Sequence, residues 1–174
     1  NQVLALMFDM NLLWEKYVYR QLQKKLSGEY IVRDQVSTNF WKPEKGRMMQ
    51  LKPDIVVYDK QHKQVTVLDT KWKNPGGNKP SPEDLRQMLA YNYYQNCRHS
   101  SLLYPYSGDK PFSRQGHYQK DEKECSLIFL PLQRVNQRMQ LDLDAIELFI
   151  EICAKERKNE ELLLHHTSQQ KHLR

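Results

Sequence analysis

Val65-Thr66-Val67-Leu68-Asp69-Thr70-Lys71-Trp72 is an apolar run that turns charged near its end. Its β-branched residues favour a strand, and side chains alternate across a strand, so one face is expected to carry Val65, Val67, Asp69 and Lys71. An acid and a base then share that face. Upstream, Leu51 to Tyr58 reads as a second strand, and the short link of residues 59–64 predicts an antiparallel hairpin. A turn centred on Gln61-His62 sets Asp54 opposite Asp69, Val56 opposite Val67 and Tyr58 opposite Val65. Two carboxylates and one ammonium would converge at one end of an apolar sheet face. Like charges on neighbouring strands cost stability, and a Mg²⁺ ion held by both carboxylates would offset that cost. The bland alternative makes Asp54 a Pro-Asp turn residue and leaves Asp69 and Lys71 on a solvated edge. The apolar residues that surround these charges argue against it.

Outward from the hairpin, Asp9 to Leu26 holds strong helix formers without Pro or Gly, and Gly28 is a fitting stop. At about 100° per residue, Leu12, Glu15, Tyr19, Leu22 and Leu26 fall on one stripe, which sets Glu15 in a face that otherwise wants burial. Either Glu15 has a functional partner, or it lies at the stripe's edge beside a Lys or Arg. Tyr30 to Phe40 reads as a strand, Trp41 to Met49 as a polar stretch, and Lys73 to Pro82, with Gly76-Gly77, as a loop. Ser81 and Asp84 resemble a capping box that opens a helix to about Asn96. On that helix Gln87 and Tyr91 share a face, with Tyr94 joining them. Ser101 to Tyr106 and Cys125 to Leu132 are further strands, separated by a polar connection. A closing helix from Asp142 to about Leu164 presents Leu143, Ile146, Phe149, Ile150 and Cys153 at helical spacing. The order predicts an α/β domain with a central mixed β-sheet flanked by helices.

A length of 174 residues suits one domain. The 27 Lys and Arg against 21 Asp and Glu leave +6, scattered along the chain, which permits a polyanionic partner and equally serves solubility. Cys97, Cys125 and Cys153 are odd in number and form no CxxC pair, so neither a disulfide framework nor a zinc site is expected, and a reducing, cytoplasmic setting fits. His165-His166 and His172 have no Cys or carboxylate at ligand spacing. No apolar run is long enough for a bilayer. The start at Asn1, without Met, predicts a piece of a longer polypeptide.

Pro53-Asp54 followed by Asp69-Thr70-Lys71 resembles the PD-(D/E)xK nuclease signature, and Gln87-Met88-Leu89-Ala90-Tyr91 resembles the QxxxY element of its RecB-like branch. Together with Leu6-Met7-Phe8-Asp9-Met10-Asn11, Glu15-Lys16-Tyr17-Val18, Leu51 to Val57 and Leu68 to Lys73, these blocks are similar to the nuclease domain of the McrC family, the cleavage subunits of modification-dependent restriction systems. The resemblance covers roughly residues 4–97.

It implies a restriction-endonuclease-like fold of the PD-(D/E)xK type, with residues 1–164 as the nuclease domain, the C-terminal domain of a longer chain, and 165–174 as a tail. It implies an endonuclease that uses Mg²⁺, with Mn²⁺ as a substitute, on double-stranded DNA. Asp54, Asp69 and the backbone carbonyl of Thr70 would ligate the metal, Lys71 would orient or activate water, Glu15 would support the site indirectly and Gln87 would position Lys71 or a phosphate. Burial near a metal lowers the pKa of Lys71, whereas the two carboxylates raise it. A McrB-like AAA+ GTPase and a second nuclease copy are the implied partners. No Gly-Lys-Ser/Thr follows Gly76-Gly77, so nucleotide binding by this chain itself is not expected. A RecB-like exonuclease, a stand-alone restriction enzyme and a catalytically silent DNA-binding or assembly domain are the rival readings.

Overall fold

The computed structural model describes residues 9–75, 79–120, 122–135 and 138–171. Gly76-Gly77 and the Leu6-Met7-Phe8 part of the first block lie outside them, as do the side chains of residues 133–140 and 160–171.

Helix α1, Met10–Leu26, starts where the Asp9 carboxylate accepts from the backbone N–H groups of Asn11 and Leu12, and it ends with Lys24 and Lys25 at its negative pole. Its buried stripe is Trp14, Val18, Leu22 and Leu26, with Glu15 buried beside it. Leu12 is exposed. The stripe is therefore rotated from the expected one: Trp14 is its bulkiest apolar member and turns the helix toward the sheet.

The expected strand over Tyr30 to Phe40 divides into β1, Tyr30–Asp34, and β2, Thr38–Trp41. Gln35 between them has φ 52°, a left-handed conformation that ends the ladder. The expected strand over Leu51 to Tyr58 divides into β3, Met49–Leu51, and β4, Ile55–Asp59, around Pro53, which has no N–H to donate. Strand β5 covers Gln64–Thr70. Strands β2 and β3 form a separate antiparallel ribbon with a bulge between Asn39 and Trp41.

After helix α2, Pro82–Tyr94, come β6, His99–Tyr106, β7, Phe112–His117, β8, Glu124–Val135, and β9, Arg138–Leu141. Strand β7 occupies part of the expected polar connection, and its near-continuous exposure marks it as a sheet edge that presents little apolar signal. The main sheet runs β1-β4-β5-β6-β8-β7, with β9 pairing β8. It is mixed, as expected: β1, β4 and β5 are antiparallel, β5-β6 and β6-β8 are parallel, and β7-β8 is antiparallel. Helix α2 is the crossover between parallel β5 and β6.

Helix α3, Asp144–Lys171, continues through His165, where the sequence predicts a tail. Together with α1 it covers one sheet face, burying Ile55, Val57, Leu68, Leu103 and Ile128 against Trp14, Leu22, Ile146 and Ile150. Helix α2 covers the other face, where Val56, Val67, Leu102, Tyr104 and Phe129 pack with Met88 and Tyr91. Each fully buried aliphatic side chain contributes about 1.5–3 kcal/mol, so both helical layers stabilise the sheet that carries the charged residues. Among the described residues no helix is long and apolar enough to cross a membrane.

Candidate functional site

Strands β4 and β5 pair Ile55 with Leu68 and Val56 with Val67. Continued one residue, that register sets Asp54 opposite Asp69 at the open end of the hairpin, as the sequence predicts. The far end differs. A bulge makes Tyr58 pair with Gln64 rather than Val65, and the extra residue turns Val65 into the core under α1 and α3, away from Val67. The bulge lies beyond Val56 and Val67, so it leaves the charged end in register.

Asp69 is 2% exposed. Thr70, the last residue of β5, donates both its backbone N–H and its hydroxyl to Oδ2 of Asp54, each at 2.7 Å, which locks that carboxylate against the strand end. Lys71 places Nζ 2.6 Å from Oδ2 of Asp69 and donates to Oε1 of Gln87 at 3.0 Å. Gln87 Nε2 in turn donates to the Tyr91 hydroxyl at 2.7 Å, and Tyr91 donates to the carbonyl of Lys52 at 3.3 Å. Asp54, Asp69, Thr70, Lys71 and Gln87 thus form one group, and α2 holds its outer side. Tyr94 does not join it. That ring is exposed and packs edge-on against Phe40, with centroids 5.4 Å apart.

Glu15 makes no direct hydrogen bond or ion pair with this group. Its Oε1 accepts from Gln35 Nε2 at 2.7 Å and lies 3.3 Å from Lys16 Nζ. The Gln35 backbone N–H donates to the carbonyl of Asp54 at 3.0 Å, so one residue separates Glu15 from the site. Asp84 enters without having been singled out for it: Oδ1 lies 3.7 Å from Lys71 Nζ and Oδ2 pairs with Lys73. Its capping-box spacing with Ser81, which the structure contains, conceals this second use. Gln35 has no sequence signal at all, since its value lies in a positive φ that only the folded chain reveals.

Burial and the neighbouring charge of Asp54 raise the pKa of Asp69 to about 7 against the opposing pull of Lys71. Burial works against the Lys71 ammonium, but Asp69, Asp84 and Asp54 outweigh it, so its pKa is raised. The carboxylates win the competition that the sequence leaves open, and Lys71 stays charged. Among the described residues no three His, Cys, Asp or Glu side chains gather closely enough to hold an ion by themselves. The donor set nonetheless fits a hard cation: Asp69 Oδ2 is buried without an aligned hydrogen bond, a second carboxylate faces it, and a metal of the Mg²⁺ kind keeps several waters.

A family model described as McrBC 5-methylcytosine restriction system component matches residues 1–105, which include every member of this group. The chain belongs to the McrBC family. The similarity seen in the sequence blocks is thereby borne out at the level of family. Among solved structures, the McrBC chain is similar to one in the refined half-complex from a tetradecameric assembly of Thermococcus gammatolerans McrB AAA+ hexamers with bound McrC, with a TM-score of 0.58 and 21% identity. The match covers 73% of this chain and 29% of that one, so the two share a fold and the present chain spans under a third of the other's length. No curated protein matches the chain.

Proposed function

We propose that this chain is the DNA-cleaving domain of a McrBC-type restriction subunit, a Mg²⁺-dependent endonuclease on a PD-(D/E)xK fold. The observation that carries the reading is the juxtaposition of two carboxylates, Asp54 and Asp69, with a charged lysine 2.6 Å from the second of them. A structural ion pair would need one acid. Here the Oδ2 of buried Asp69 meets Lys71 as an ion pair without an aligned hydrogen bond and a second acid faces it, so one ammonium serves two carboxylates, a surplus of negative charge that a bound divalent cation would offset.

Asp54, Asp69 and the backbone carbonyl of Thr70 would hold the metal. When bound, Mg²⁺ supplies Lewis acidity toward a phosphoryl oxygen and acidifies a coordinated water. The residues of the chain do the rest. Thr70 fixes one oxygen of Asp54 and so leaves the other to face the cation. Lys71, charged and held by Gln87, steadies the negative charge that builds on the phosphate and orients the attacking water. Gln87 keeps the lysine on the α2 side, anchored by Tyr91. Glu15 supports the metal side indirectly, through Gln35.

Duplex DNA is the proposed substrate, and a McrB-like AAA+ GTPase the proposed partner, since a solved structure that shares this fold is an assembly of McrB with bound McrC. Cutting both strands needs two such sites, hence a second nuclease copy in the assembly. The reading is tested by incubating the chain, with and without a McrB-like partner, on plasmid DNA. Cleavage that requires Mg²⁺ or Mn²⁺ supports it, and undiminished cleavage in EDTA refutes it.

A further inference from the structure

The ribbon of β2 and β3 exposes a cluster of apolar side chains that the fold leaves uncovered: Trp41 at 55%, Met49 at 57% and Met48 at 42%. Trp41 and Met49 are cross-strand partners, so they project together. The base of the ribbon is fastened to the end of α2, where Gln95 Nε2 donates to the Thr38 hydroxyl at 2.7 Å and the Tyr94 hydroxyl donates to the Phe40 carbonyl at 3.4 Å. The bulge after Asn39 turns the Phe40 ring down onto Tyr94. The tip, residues 42–48, is exposed apart from half-buried Pro43 and turns at Gly46, whose φ is 115°.

An exposed apolar cluster commonly serves a protein partner. Charge argues otherwise here. The tip carries Lys42, Lys45 and Arg47 against Glu44, three positive charges less one negative, for a net +2. All three basic side chains are exposed, and among the described residues none forms an ion pair. The ribbon is also tied to the proposed active site. Leu51 precedes Asp54 by three residues, a span of at most about 11 Å, and the Lys52 carbonyl between them accepts from Tyr91, the anchor of Gln87 and through it of Lys71.

We infer that this ribbon is a DNA-engaging arm: Lys42, Lys45 and Arg47 grip phosphates of the duplex that is to be cut, and the Trp41–Met49 pair presses against its sugars and bases. A two-stranded ribbon fits a DNA groove, and apolar side chains of this kind can wedge against base steps. The contacts position the duplex without reading its sequence. Because Leu51 leads directly into Asp54, holding the ribbon on DNA would hold the scissile phosphate over the carboxylates. The inference rests on the nuclease reading above for its choice of partner.

The test separates the two. Binding of the chain to a labelled duplex is measured in EDTA across a range of salt, and tryptophan emission is recorded with and without DNA. Trp14 is buried and packs against the half-buried Trp72, with centroids 5.7 Å apart, so Trp41 is the exposed reporter. The expected result is DNA-dependent quenching that disappears in Trp41→Phe. In Lys45→Ala/Arg47→Ala the salt slope should fall by about 2 and affinity should drop on the order of 10-fold or more. Both side chains are exposed and form no hydrogen bond or ion pair among the described residues, so the variant is expected to keep its structure, which its far-ultraviolet circular dichroism checks. Duplex binding with unaltered slope and no change in emission overturns the inference and hands the cluster to a protein partner. Failure of the parent chain to bind duplex at low salt overturns the inference, and the nuclease reading falls with it when Mg²⁺- or Mn²⁺-dependent cutting is absent with the partner as well. DNA binding through the ribbon without any Mg²⁺- or Mn²⁺-dependent cutting by chain or assembly sinks the nuclease reading alone.

Discussion

Gln35 reaches back to Glu15, donating from Nε2 to Oε1 over 2.7 Å while its own backbone sits at φ 52°. A side-chain amide held in this way fixes a backbone as well, and the Gln35 N–H is bonded to the carbonyl of Asp54. Glu15 thus bears on the position of Asp54. Glu15→Gln should lower cleavage on the order of 10-fold, as outer partners of metal sites typically do, with the fold intact. Gln35→Ala should do the same and weaken Mn²⁺ binding in parallel. Unchanged metal affinity and turnover in both variants would reduce Glu15 to an edge residue paired with Lys16.

Asp69 and Lys71 should part company under mutation. Asp69→Ala is expected to abolish metal binding and cleavage together, whereas Lys71→Ala should leave calorimetric Mn²⁺ or Ca²⁺ binding in place and remove cleavage. A Lys71→Ala protein that cuts as fast as the parent would show that the lysine only neutralises Asp69.

The raised pKa of Asp69 gives a sign to the pH dependence. The metal-free folded protein holds this proton more tightly than the unfolded chain, so its stabilising contribution is complete below the unfolded value of 3.8 and is lost as pH rises through about 7. Melting temperature in EDTA should therefore slope downward from about pH 5 to about pH 8, and that slope should flatten in Asp69→Asn. The lowered carboxyls of Asp34, Asp59 and Asp84 work in the opposite sense, but only as pH falls below their usual range. Metal affinity should climb over the same interval as the proton is displaced. A pH-independent affinity would mean that the ion does not bind Asp69.

Alone, the chain is expected to be a weak and unselective nuclease. Phosphate grip does not read a sequence, and one site cuts one strand. Incubation of the isolated chain with methylated and unmethylated plasmids at physiological salt should yield slow nicking without preference. Efficient methylation-selective linearisation by the chain alone would favour a stand-alone restriction enzyme.

The charged end of the β4–β5 hairpin was legible because two regularities agree there: alternation put Asp69 and Lys71 on one face, and the hairpin count put Asp54 across from Asp69. The same count failed at Tyr58, since a bulge depends on how Val65 packs under α3 and leaves no trace in composition. The helical stripe was legible in period but not in phase, because Leu12 and Trp14 are both apolar and only the shape of the sheet decides which is buried. Strand β7 escaped notice for an energetic reason: an edge strand exposed along most of its length is held by its ladder to β8, and hydrogen bonds do not show in a hydrophobic pattern. Spacing put Gln87 and Tyr91 on one helix face, but only the family resemblance gave Gln87 a place at the site, whereas Asp84 was given only its role as a cap.

That cap has a consequence for anyone who alters the site. The Asp84 carboxylate closes the first turn of α2 with Ser81 and at the same time balances Lys71 and Lys73. Replacing it is two experiments in one tube, a frayed helix start and a released pair of cations, and loss of activity alone cannot tell them apart. Ser81→Ala supplies the missing control, since it frays the same turn and leaves the carboxylate where it stands.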